Sequence, residues 1–176
     1  MHHVASRSLV HRRYATVHGA APAADYPDYL TTGASDAPQA VLGYRLARDE
    51  RLFLEVYLDR PIEAVLTERL ARPVARARIV ELGDHASDSA PATVALWGQA
   101  AATLGAHADV AVAVLTKPLR AMLTRLGLGL VELAPARIEA LGSHGARWGR
   151  YYETDPVICA GDIAACRNRL VAAGPA

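Results

Sequence analysis

Two carboxylates and an imidazole stand close together in IVELGDHAS, residues 79 to 87, at the end of an apolar run. Glu81 shares strand parity with Ala77 and Ile79, so its carboxylate points to the face of an apolar pair. Desolvation there raises a carboxylate's pKa into the range of a general base unless a cation compensates it. Such a base suits the acylation of an amine, which must attack in its neutral form and lose a proton afterwards. The structural alternative for Glu81 is an ion pair with Arg45 or Arg78. Asp84 and His85 fall at the strand's end, where active sites gather in open α/β sheets, as proton-relay or acceptor-positioning groups. Their plain alternative is a solvated turn with Asp84 as a local cap.

Other candidates are more scattered. Glu55 and Tyr57 lie within the apolar segment LFLEVYLD, where Glu55 is either a buried hydrogen-bond anchor or an acceptor-binding carboxylate. Glu63 reads as an exposed acid in the first turn of a helix. Trp148, Tyr151 and Tyr152 concentrate aromatic surface in a chain with little of it; packing is their default role, and an acyl-pocket wall or a phenol that protonates a leaving thiolate is the functional one. Cys159 and Cys166 read as small buried hydrophobes in a reduced, cytoplasmic protein. No metal-ligand spacing is present, and LGSHG lacks the spacing of a serine nucleophile elbow.

The elements that must position these groups alternate between strand and helix. Residues 6–20 carry apolar positions at helical spacing and end at Gly19. A turn-rich stretch then holds a short strand near Tyr29 to Thr32. AVLGYRLAR (40–48) and VARARIVELG (74–83) read as strands, with the helix PIEAVLTERLA (61–71) between them opening on a proline. Ser89 caps a helix from about residue 90 that closes on Gly105. VAVAVL (110–115) has the continuous β-branched character of a strand covered on both faces. A helix stopped by Gly127, a strand at 129–134, a helical turn at 135–142, the segment DPVICAG and a last helix complete a single α/β (α+β) domain over 1–176, with 1–39 as an N-terminal helix and loop.

Composition excludes several classes. A net charge of +1 gives no global attraction for nucleic acid or an anionic membrane. No run approaches a membrane span, and MHHVASRSLVHRRYATVHG has no apolar signal core.

Five segments in order, GYRLA, LFLEVYLDRPIE, RIVELGDHAS, LRAMLTRLGL and WGRYYETDPVICAG, resemble the thermostable haemolysin family across residues 40 to 163. That resemblance implies a GNAT-like N-acyltransferase fold, a mixed central sheet flanked by helices, related in outline to acyl-homoserine-lactone synthases. It implies that an acyl thioester docks on the strand carrying VEL, with Val80, Leu82, Gly83, Thr116 and Arg120 against the pantetheine. Glu81, Asp84 and His85 become the catalytic candidates, and Glu55, Tyr57, Arg78, Trp148, Tyr151 and Tyr152 the substrate-binding ones. Relative to the family pattern, Asp84 replaces an asparagine and His85 an apolar residue. The name reports a phenotype, and no segment here would line a pore.

A GNAT pyrophosphate loop carries glycines, whereas DHASDSAPAT has none and two aspartates, which favours an acyl carrier protein over acyl-CoA as donor. Arg72, Arg76, Arg78, Arg120 and Arg125 are the arginines expected to meet the acidic carrier. The expectation is therefore an acyltransferase of specialised metabolism with no bound cofactor, acting on a phosphopantetheine thioester and a small amine. The alternatives are a non-catalytic or membrane-active protein and a carrier-dependent lactone synthase.

Overall fold

The computed structural model describes residues 2–21 and 25–172. Its elements are α1 (His2–His18), β1 (Asp28–Gly33), β2 (Pro38–Leu46), α2 (Ile62–Arg69), β3 (Ile79–Ser87), α3 (Ala90–Leu104), β4 (Val110–Leu115), α4 (Lys117–Arg125), β5 (Val131–Pro135), β6 (Val157–Asp162) and α5 (Ile163–Ala172). The six strands form one sheet in the order β1-β2-β3-β4-β6-β5, in which only β3 and β4 run parallel.

Side-chain alternation divides the sheet's cover. Val80 and Leu82 of β3 pack under α3, whose Leu96, Trp97, Ala100 and Leu104 recur at helical spacing on one face. Ile79, with Val110 and Val112 of β4, faces the opposite side, toward Ile62 and Leu66 of α2. On that same side α1 lays Leu9, Val10 and Tyr14 against Val41, Ala86 and an aromatic group that includes Trp148 and Tyr151. Ser89 caps α3 as expected, its hydroxyl accepting the Ala92 N–H at 3.2 Å.

Three segments depart from the sequence reading. β3 starts at Ile79 because Arg76–Arg78 close a 3-10 turn, and it runs on through DHAS because β2 continues to pair with it as far as Ala40 and Ser87. LFLEVYLD yields a 3-10 turn, Phe53–Tyr57, held at its start by buried acids. The expected helical turn at 135–142 is the beginning of a longer 3-10 stretch, Ile138–Trp148, kinked at Gly142.

Glu55 is the anchor of the Phe53–Tyr57 turn. Its carboxylate accepts the N–H groups of Leu52 (3.0 Å) and Ile62 (3.1 Å) and receives Arg76 in a fork at 2.7 and 2.9 Å. The Arg76 hydrogen bonds hold its pKa down at about 2 against the opposing effect of burial. Its place is thus structural, tying the turn to the start of α2.

Glycine is required where β2 and β3 face each other. Gly43 and Gly83 are cross-strand partners, and the ring of Tyr26 lies over both. A Cβ on Gly83 would sit 2.0 Å from the Tyr26 hydroxyl, and one on Gly43 2.7 Å from the ring. Gly83→Ala should therefore expel Tyr26 and lower stability by about 1–3 kcal/mol or more, read as an earlier denaturant midpoint; an unchanged midpoint would show that Tyr26 is not wedged there.

Candidate active site

The sheet opens between its two parallel strands. β3 and β4 pair only from Ile79 with Val110 to Leu82 with Ala113. Beyond that point β3 follows β2 to Ser87, while β4 follows β6 through Val114 and Leu115. A bulge assists the parting. Val41 pairs with Ala86 and Gly43 with Gly83, so β3 carries one extra residue, and Asp84 adopts a left-handed φ of 47°. Outside glycine, such a φ is most accessible to Asn and Asp. The extra residue resets the alternation, so that Ala86 faces α1 and not, with Val80 and Leu82, α3; Asp84 reaches Tyr29 of β1, and His85 lies beside Trp97 of α3.

A cavity of about 410 Å³ fills the opening. Its floor is Leu82 to Ser87 of β3 and Ala113 to Leu115 of β4. Thr93 and Trp97 of α3 with Leu119 and Met122 of α4 close one side. Tyr14 and His18 of α1, with Phe53, Tyr57, Trp148 and Tyr151, close the other. These last residues pack ring to ring, with Trp148 and Tyr151 centroids 5.1 Å apart and Tyr14 stacked on Tyr151 at 6.0 Å. The α1 side was not anticipated from the sequence, although Tyr14 and His18 are spaced i, i+4 and so share one face of that helix.

The three acidic and basic candidates are placed differently. Glu81 is 1% exposed and is absent from the cavity lining. Its carboxylate accepts the N–H groups of Phe53 and Leu54, both at 2.8 Å, and Arg45 Nε lies 3.3 Å away. The Arg45 guanidinium stacks 4.6 Å above the Tyr26 ring. Burial outweighs these partners and pushes Glu81 up to about 7. The expected Arg45 partner is present, and the expected position against substrate is not. Glu81 positions the turn that carries Phe53 and Tyr57 into the wall.

Asp84 and His85 do line the cavity. Asp84 is 7% exposed and accepts the Tyr29 hydroxyl at 2.8 Å, and burial pushes its pKa up to about 6. No ion pair within 4.0 Å reaches it among the described residues. Burial lowers His85 to about 4, which keeps the imidazole neutral, and its buried Nε2 has no hydrogen-bond partner among the described residues.

Of the other expected site residues, Leu82, Gly83, Thr116, Tyr57, Trp148 and Tyr151 line the cavity. Tyr152 stands behind it, sharing a short hydroxyl–hydroxyl contact with Tyr57. Burial raises the pKa of Tyr57, Tyr151 and Tyr152, so none is primed to release a proton to a leaving thiolate. Val80 is consumed in the paired part of β3. Arg78 lies outside, forked onto Asp109 at 2.6 and 3.1 Å. Arg120 binds the carbonyls of Leu115 and Asp155 and the carboxylate of Glu132, which ties α4 to β4 and β5. With Arg72 on Asp162 and Arg76 on Glu55, four of the five arginines expected to greet a carrier are engaged in ion pairs; Arg125 is not among them.

Among the described residues no group of His, Cys, Asp and Glu is arranged to hold a metal ion, and no helix is long and apolar enough to cross a membrane.

A sequence profile of the family described as thermostable hemolysin matches residues 2–167. No curated protein sequence matches. Three solved structures illustrate the fold likeness. FeeM, an N-acyl amino acid synthase from uncultured soil microbes, superposes with a TM-score of 0.61 at 12% identity over 95% of this chain and 94% of its own. The AHL synthase LasI gives 0.61 at 14% identity over 99% and 90%. BjaI, a CoA-dependent acyl-homoserine lactone synthase solved with SAM and isopentyl-CoA, gives 0.59 at 11% over 97% and 82%. The chain therefore has the GNAT-like acyltransferase fold.

The raised pKa of Glu81 has a measurable consequence. A carboxylate whose folded pKa (about 7) exceeds its unfolded value (4.5) contributes stability below pH 4.5 that is lost as the pH rises through 7. The stability of the native protein relative to Glu81→Gln should thus fall between pH 4.5 and 7, by up to about 1.4 kcal/mol per pH unit in denaturant titrations. A pH-independent difference would contradict the raised pKa.

Proposed function

The chain belongs to the thermostable hemolysin family, and from that premise we propose that it is an acyltransferase, moving an acyl group from a pantetheine thioester to a small amine. The observation that carries this is the parting of β3 and β4. It leaves strand edges without strand partners beside a cavity, where backbone groups can hold an extended pantetheine arm and the thioester carbonyl. The fold neighbours described as AHL and N-acyl amino acid synthases support acyl transfer as the chemistry.

The reaction balances without a cofactor. An ammonium acceptor yields one proton to Asp84, whose pKa of about 6 leaves it ionised at neutral pH and able to receive it. The freed amine attacks the thioester carbon, the C–N bond forms and the C–S bond breaks. The nitrogen's second surplus proton goes to the departing thiolate, which leaves as a thiol. His85, neutral and on the α3 side, belongs to the part of the lining that would meet the donor. Glu81 serves this site through Phe53 and Leu54, as a positioning residue.

An acyl carrier protein is the favoured donor. At the start of α3, Ser89 already occupies the Ala92 N–H, Pro91 has none, and Asp88 lies at the cavity's rim, so the helix end is ill suited to a nucleotide phosphate. A CoA donor and a lactone-forming acceptor constitute the second reading, favoured by the description of BjaI.

Incubation with acyl-carrier protein or acyl-CoA and an amine panel should give amide by mass spectrometry, faster with the carrier. Asp84→Asn should reduce the rate by about 10²- to 10⁴-fold. Absence of amide with every donor would overturn acyl transfer, and undiminished turnover in the variant would remove Asp84 from the role of base.

A further inference from the structure

The two halves of the cavity differ in chemistry. The α3–α4 side offers Leu115, Leu119, Met122 and the Trp97 ring, as an acyl donor needs. The α1 side is a wall of Tyr14, Phe53, Tyr57, Trp148 and Tyr151 around one buried acid, Asp84, with Asp88 and Arg13 at the rim. Asp84 contrasts with the other buried acids of the chain. Glu81 has Arg45 and two backbone donors, and Glu55 has Arg76 and two. Asp84 has one phenol and no cation within ion-pairing distance among the described residues. A carboxylate taken out of water without a counter-charge is unfavourable. Aromatic faces around it attract cations and flat apolar bodies. Trp148, 5% exposed, closes the same wall.

We infer that the acceptor is a monocationic arylalkylamine, its ammonium completing Asp84 and its ring lying against the aromatic wall. This rests on the acyl-transfer reading and names the acceptor class for the same cavity. Burial of the ammonium against Asp84 also places the nitrogen on the β3 side of the parting, next to where the thioester must lie. The aromatic wall is held in register by Glu81, which fixes Phe53, and by the hydrogen bond from the Arg150 N–H to the His18 carbonyl at 2.8 Å, which fastens α1 to the segment carrying Trp148.

Binding without any donor tests this separately from catalysis. Isothermal titration of the full chain would use tyramine, its neutral isostere 4-ethylphenol, the ringless n-butylamine, and tyrosine. Tyramine should bind at least about tenfold more tightly than 4-ethylphenol and measurably more tightly than n-butylamine. In Asp84→Asn the advantage over 4-ethylphenol should disappear. Equal binding of tyramine and 4-ethylphenol by the native protein would overturn the inference even if the variant does not fold. Tyrosine binding about tenfold more tightly than tyramine would overturn the monocation in favour of a zwitterion held also by Arg13 on the rim. Amide formation with other amines but no tyramine binding would sink this inference alone. Tyramine binding without acylation by any donor would uphold it and sink the acyl-transfer reading.

Discussion

Everything at the candidate site depends on where β3 stops pairing with β4. Had the ladder continued past Leu82 and Ala113, Gly83 to Ala86 and Val114 to Thr116 would be spent on each other and the cavity would close. The extra residue in β3 and the left-handed Asp84 let that strand stay with β2 while β4 keeps to β6. An αL conformation at an aspartate costs about 1–3 kcal/mol, and the surrounding ladder with β2 sustains it. The same residue that makes the bulge is thereby the one that brings a carboxylate to the opening.

Two acids only three residues apart end with different duties because of what surrounds them. Glu81 lies under the Phe53–Tyr57 turn, where two backbone N–H groups and Arg45 consume its oxygens. Asp84, displaced by the bulge, keeps one phenol partner and faces open volume. A buried carboxylate with all its acceptors filled organises structure; one left incomplete beside a cavity is available to chemistry. Glu55, expected against the acceptor, and Arg120, expected against the pantetheine, belong with Glu81: each joins segments distant in sequence and presents nothing to the cavity.

Much of this architecture was legible in the sequence because it rests on local periodicity. The helices of residues 61–71 and 90–105, the buried strand VAVAVL and the Ser89 cap each carry their own signal. The resemblance of five ordered segments reached the fold as well. The bulge was not legible: alternation led DHAS to be read as a strand end, since an extra residue has meaning only against the β2 register. For the same reason parity correctly put Glu81 with Ile79 but could not tell that a turn 27 residues earlier would cover it. The contribution of α1 was hidden too, because a helix's own spacing shows which face is apolar and not which cavity it walls.

The central claim, that an acyl-pantetheine arm lies in the parting between β3 and β4, is tested most directly with an unreactive thioether analogue of an acyl-pantetheine added to ¹⁵N-labelled protein. The account predicts that the largest amide shifts fall on Gly83 to Ala86 and on Ala113 to Thr116, with β1 and β5 at the sheet's edges unmoved. Shifts confined to the α2 face or to the β1 edge, with the parting silent, would contradict it.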